Sequence, residues 1–132
     1  MSIIVGYIPT PEGEAALERA IREASAAEAP LVVVNSTRGD VFVDERFVQP
    51  DAAKALDHRL AASGVEYTLL QPMGGHDAAE EVLDAAGQHR ADLIVIGLRK
   101  RSPVGKLIMG STAQRILLQA ECPVLAVKAA AA

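Results

Sequence analysis

A chain of 132 residues, half of them hydrophobic, can bury one apolar core and has no room for a second, so residues 1–132 read as a single domain. A formal charge of −4 and an aromatic content of 3% exclude a surface built to coat nucleic acid or an anionic membrane, and leave few rings on which bases could stack. No run approaches the roughly 18 apolar residues of a membrane span, the amino terminus lacks a signal peptide's basic region, and the single Cys122 has no internal disulfide partner, so a cytoplasmic location is expected.

Ser2 to Ile8 reads as a first strand. Pro9-Thr10-Pro11-Glu12 forms the turn, with Thr10 as N-cap and Glu12 and Glu14 favouring a helix start that runs to about Ala27. Ala16, Ala20 and Ala24 with Leu17 and Ile21 give that helix a lean apolar face. Leu31 to Asn35 is a second strand, apolar nearly throughout, as expected of a strand buried on both faces. Ser36 to Gln49 holds both Phe residues among charges; it reads as a loop packed on its own domain, with a lid, a partner surface or a simply mobile loop as alternatives. Asp51 to Ser63 reads as a helix ended by Gly64, and Val65 to Gln71 as the third strand. A turn over Pro72 to His76 then leads into a helix from Asp77 to His89.

His76 is expected to be an exposed turn residue, with titration beside a bound phosphate as the alternative. His58 and His89 fall on helix surfaces, and the three His show no metal-ligand spacing, so no metal site is expected. Ser102 and Ser111 have no His and acid partners visible in sequence, so no nucleophilic triad is expected either.

The last third of the chain carries the densest pattern. Leu93 to Ile96 is a continuous apolar run that places Gly97 at a strand's carboxyl end, where ligands bind in open α/β sheets. Residues 98–106 then bring four cationic side chains, Arg99, Lys100, Arg101 and Lys106, and no acid. Gly110, Ser111 and Thr112 open a helix to about Gln119 through a hydroxyl N-cap. A cationic loop feeding a helix start whose amides lack partners is a phosphate cradle in outline; the same residues also fit a solvated loop with ordinary turn glycines. A nucleoside triphosphatase P-loop is a poorer fit, because seven residues separate Gly97 from Gly105 and Leu107 follows Lys106 where a hydroxyl is required. Glu121-Cys122-Pro123 makes a sharp entry to a fifth strand, Pro123 to Lys128, with Cys122 expected as a small buried apolar residue. An apolar last strand at a sheet edge demands cover, which a second copy of the chain would supply by pairing along Val124 to Val127. Alternating strands and helices of this kind predict a doubly wound, right-handed α/β layer structure.

Gly97-Leu98-Arg99-Lys100, nine further residues and Gly110-Ser111 resemble the G-x2-G-x9-G-[S/T] signature of the universal stress protein family, with Lys100 in place of its second glycine. Ile3 to Gly6, Asp77 to Val82, Ala91 to Gly97 and Cys122 to Val127 extend the resemblance over almost the whole chain. It implies a five-stranded parallel sheet of order 3-2-1-4-5 with helices on both faces, Rossmann-like and of the adenine nucleotide alpha hydrolase kind, and a stress-response regulatory protein that forms a homodimer through its fifth strand. It also implies ATP at the carboxyl edge of the sheet. Gly6, Ile8, Val34 and Gly97 would face the base or ribose, and Lys100, Gly110, Ser111 and Thr112 the phosphates. Ile8 stands where nucleotide-binding members usually have Asp. No catalytic residue is assigned, so at most slow ATP hydrolysis is expected, and a dimeric scaffold that binds no nucleotide is the alternative.

Overall fold

The computed structural model describes residues 2–35, 50–71, 77–98 and 110–129. Five strands and four helices alternate: β1 Ser2–Tyr7, α1 Pro11–Ala27, β2 Leu31–Asn35, α2 Pro50–Ser63, β3 Tyr67–Leu70, α3 Ala78–Gln88, β4 Ala91–Leu98, α4 Ser111–Gln119 and β5 Val124–Lys128. All neighbouring strands are parallel, in the order β3-β2-β1-β4-β5 that the resemblance implied.

The reason is legible in the burial. Ile3, Val5, Leu31, Val33 and Val95 point to one face, where Ala16, Leu17, Ala20 and Ala24 of α1 and Leu56 and Leu60 of α2 cover them. Ile4, Val32, Val34, Ile94 and Ile96 point to the other, under Ala79, Val82 and Ala85 of α3 and Ile116 of α4. Successive strand residues alternate faces, so an unbroken apolar run is what a sheet covered on both sides requires. The chain steps from β1 outward to β3 with helices on one face, then crosses back to β4 and β5 with helices on the other. Right-handed crossovers in a single twisted sheet produce that arrangement.

Several expected boundaries shift, each for a hydrogen-bonding reason. β1 ends at Tyr7, not Ile8, because the Ile8 carbonyl turns to accept from the Thr10 N–H at 2.8 Å. β3 begins at Tyr67, not Val65, and ends at Leu70, the four residues that pair with Leu31 to Val34 of β2. Asp77 caps α3 without belonging to it, and His89 is the cap at its other end. β4 continues through Gly97 to Leu98, since Gly97 pairs with Val127 and Leu98 with Lys128. Pro123 lies before β5, having no N–H to offer the ladder, although its carbonyl accepts from Ile94 at 3.0 Å. Cys122 is half-buried where full burial was expected. The expected Thr10 cap of α1 is present, with its hydroxyl accepting from the Gly13 N–H at 3.0 Å, and Gly64 after α2 has the left-handed φ of 83°.

Two turns at the amino edge of the sheet hold non-glycine residues in left-handed backbone, Glu28 at φ 55° after α1 and Arg90 at φ 53° before β4. A side chain in that region costs about 1–2 kcal/mol, partly offset in glycine by its greater freedom when unfolded. Glu28→Gly and Arg90→Gly are therefore each expected to raise stability, by up to about 1 kcal/mol. Urea denaturation checks this; a lowered midpoint in both would show that the native side chains make contacts that outweigh the strain.

Candidate functional site

Every helix of this fold follows a strand, so all helix starts lie at the carboxyl edge of the sheet. Topology gathers most of the sequence-predicted residues there. Gly6 of β1 pairs in register with Val34 of β2, and β4, which carries Gly97, pairs with the other side of β1 through Val5 and Val95. Ile8 is the first residue beyond Tyr7. Gly110, Ser111 and Thr112 open α4 at the same edge. Lys100, Arg99, Arg101, Lys106, His76 and the segment Ser36 to Gln49 lie outside the described residues.

Burial separates these residues by what their side-chain space already does. Val34 is fully buried in the core under α3. A Cβ on Gly6 would lie 3.2 Å from the Val82 side chain. A Cβ on Gly97 would lie 2.3 Å from the Glu12 carbonyl oxygen, so the missing side chain there is what lets the first turn of α1 approach β4. Gly110 differs: among the described residues nothing lies within 4 Å of the Cβ it lacks, and it, Ser111 and Thr112 are exposed.

The start of α4 also differs in its capping. Thr10 caps α1 and Asp77 caps α3, the latter by accepting from the Glu80 N–H at 2.8 Å. The N-cap of α4 is Gly110, and among the described residues no side-chain cap bond is made there. The expected hydroxyl cap is therefore not made: Ser111 and Thr112 already lie inside the helix, past the position from which a side-chain oxygen can reach back to a free N–H. Amides with no side-chain partner among the described residues, together with the positive end of the helix dipole, form an anion-attracting surface.

Nearby charges are committed to one another. Arg115 of α4 donates to Asp77 at 2.5 Å and lies 3.5 Å from Glu80, which ties the starts of α3 and α4 together. The Asp77 carboxyl is held below the usual carboxylate range, first by the Glu80 backbone N–H and also by the Arg115 guanidinium. On the opposite face of the sheet the Tyr7 hydroxyl donates to one Glu14 oxygen at 2.6 Å, and Arg59 of α2 donates to the other at 2.6 Å. Burial, and then the bond to Glu14, push the Tyr7 phenol above its ordinary value. Sequence reading missed this cluster because 45 residues separate Arg59 from Glu14 and no periodicity links them. Burial likewise raises the Cys122 thiol, with a smaller contribution from Asp92. Among the described residues no group of three His, Cys, Asp or Glu side chains could hold a metal ion, and no helix is long and apolar enough to cross a membrane.

Comparison with known proteins agrees with this architecture. A universal stress protein of Mycolicibacterium smegmatis is 48% identical over 126 residues, covering 96% of each chain. The solved universal stress protein of Archaeoglobus fulgidus superposes with a TM-score of 0.79 at 32% identity, over 97% of this chain and 98% of the other. A structure of the universal stress protein from the same organism in complex with dAMP superposes with a TM-score of 0.72 at 25% identity, over the same shares. The sequence profile of the universal stress protein family matches residues 1–128, and with a relative of this identity and coverage the chain belongs to that family.

Proposed function

We propose that this chain binds an adenine nucleotide, ATP in the first instance, at the carboxyl edge of its sheet and acts as a regulatory protein in the cytoplasm. The observation that carries the reading is the exposed start of α4, which among the described residues has no side-chain cap and nothing near the Cβ that Gly110 lacks, room for a phosphate to reach the backbone. The Archaeoglobus fulgidus relative solved with dAMP supports it. In this reading the amides and hydroxyls of Ser111 and Thr112 meet the phosphates, joined by Lys100, while Gly6, Ile8 and Gly97 line the base and ribose end and Val34, fully buried under α3, only supports it from the core.

The apolar Ile8 offers a base edge no hydrogen-bond partner, whereas Arg99, Lys100, Arg101 and Lys106 supply four positive charges in the sequence leading to α4. Affinity then comes mainly from the charged end. Binding is expected to weaken as salt screens exposed charges over about 8 Å at physiological strength, and GTP to compete nearly as well as ATP. Two measurements test this: whether protein purified from cells releases an adenine nucleotide on denaturation, and calorimetric titration with ATP and GTP at two salt concentrations. Strong preference for ATP with no salt dependence would overturn the charged-end account. No binding of either nucleotide would leave the dimeric scaffold as the better reading.

The homodimer belongs to the same proposal. β5 is paired only with β4 among the described strands, and Val124 to Val127 are half-buried along its length, an edge that a second β5 would cover. Light scattering of the wild type tests it, and a monomer at high concentration would remove it.

A further inference from the structure

Three groups from three different elements meet beside the last residue of β1. The Tyr7 ring is buried in the core under α1 and α2, and its hydroxyl takes one oxygen of Glu14. Arg59 takes the other oxygen of Glu14 and reaches Glu18 at 3.8 Å. Tyr7 stands between Gly6 and Ile8, and Glu14 lies in the first turn of α1, so the cluster brackets the turn from β1 into α1.

We propose that Arg59 is a positioning residue for the base end of the nucleotide site: from α2 it holds Glu14, Glu14 holds Tyr7, and together they fix the turn that carries Ile8. The proposal rests on the nucleotide reading above. The turn's own bonds, Thr10 N–H to Ile8 carbonyl at 2.8 Å and Gly13 N–H to Thr10 hydroxyl at 3.0 Å, run within residues 8–13. Such bonds set the shape of the turn but not its orientation on the sheet. Orientation comes from contacts outside the turn: Glu12 rests on β4 at Gly97 on one side, and Arg59 adds a tie to a second helix through a carboxylate with both oxygens occupied.

The magnitudes favour a local role over a global one. The Arg59 and Glu14 side chains are 38% and 41% exposed, and ion pairs so open to water contribute little to overall stability. Their loss is felt where alignment matters, at Ile8 against a bound base. A residue at the phosphate end is indifferent to it, because α4 lies under the opposite face of the sheet.

The test compares wild type, Arg59→Met and Arg59→Lys by calorimetry with ATP and with inorganic tripolyphosphate, alongside hydrogen exchange at the Thr10 amide. In Arg59→Met, ATP is expected to weaken about fourfold, the scale of one methylene's worth of Ile8 contact with the base, while tripolyphosphate is unchanged and the Thr10 amide exchanges faster. Arg59→Lys, which keeps one charged donor, recovers part of the ATP affinity. Equal weakening of both ligands overturns the proposal, since general loosening would cause it. A wild type that binds ATP, with Arg59→Met binding it equally well, overturns the positioning role alone. A wild type that binds no ATP overturns the nucleotide reading and this role with it.

Discussion

Replacing Gly13 with alanine is expected to destabilise the chain by about 3 kcal/mol or more, at the upper end of what overpacking a tight interior costs. A Cβ at this position would lie 1.9 Å from the Ile8 carbonyl oxygen, 2.9 Å from its carbon and 3.0 Å from the Ile8 nitrogen. All three contacts are backbone, so no side chain can rotate away. Nor can the carbonyl swing aside without losing the Thr10 N–H it accepts. Helix propensity predicts the opposite sign, because alanine is favoured over glycine in a helix by roughly 0.5–1 kcal/mol. The steric cost is the larger of the two, so urea denaturation should show a markedly lowered midpoint. An unchanged or raised midpoint would sink the packing account and with it the claim that α1 rests directly on the end of β1. Gly97→Ala probes the same junction from the other strand, since its Cβ would meet the Glu12 carbonyl oxygen at 2.3 Å.

The second large effect concerns binding and leaves the fold nearly untouched. Gly110→Val combined with Ser111→Ala is expected to weaken ATP binding by on the order of 100-fold, the scale of losing two charged hydrogen bonds. Gly110 sits at φ −66° and ψ 158°, backbone that any residue adopts, and no described residue lies within 4 Å of its Cβ position. Valine there should therefore change stability by no more than about 1 kcal/mol. Its branched side chain nevertheless stands over the first amides of α4, where a phosphate would have to approach. Calorimetry with ATP measures the binding loss and thermal unfolding measures the control. Equal ATP affinity in wild type and variant counts against the α4 start as the phosphate site. A collapse of stability would instead mean that Gly110 has a packing role its open surroundings do not suggest.

These two glycines mark how far the sequence could be read. Apolar runs at Ile3 to Val5, Leu31 to Val34 and Leu93 to Ile96 announced buried parallel strands, because a sheet covered on both faces leaves no position free for a polar side chain. Thr10 announced its helix, since a cap is a local bond between residues three apart. The motif from Gly97 to Ser111 announced the family. By itself, then, the sequence determined the order of elements, the sheet class and the family, all of which depend on local periodicity or on a motif that keeps its spacing along the chain.

What each glycine is for was decided only in three dimensions. Gly97 and Gly110 look alike in the motif, yet the first makes room for Glu12 from a helix that follows another strand, and the second makes room for none of the described residues. Gly13, unremarked in sequence, carries the tightest of the three approaches. The hydroxyl cap expected at α4 did not form, because whether Ser111 caps the helix or begins it turns on a register one residue wide. The Tyr7, Glu14 and Arg59 cluster was invisible for the same physical reason: its members come from β1, α1 and α2, and only the packing of both helices on one face of the sheet brings an arginine to a carboxylate 45 residues away.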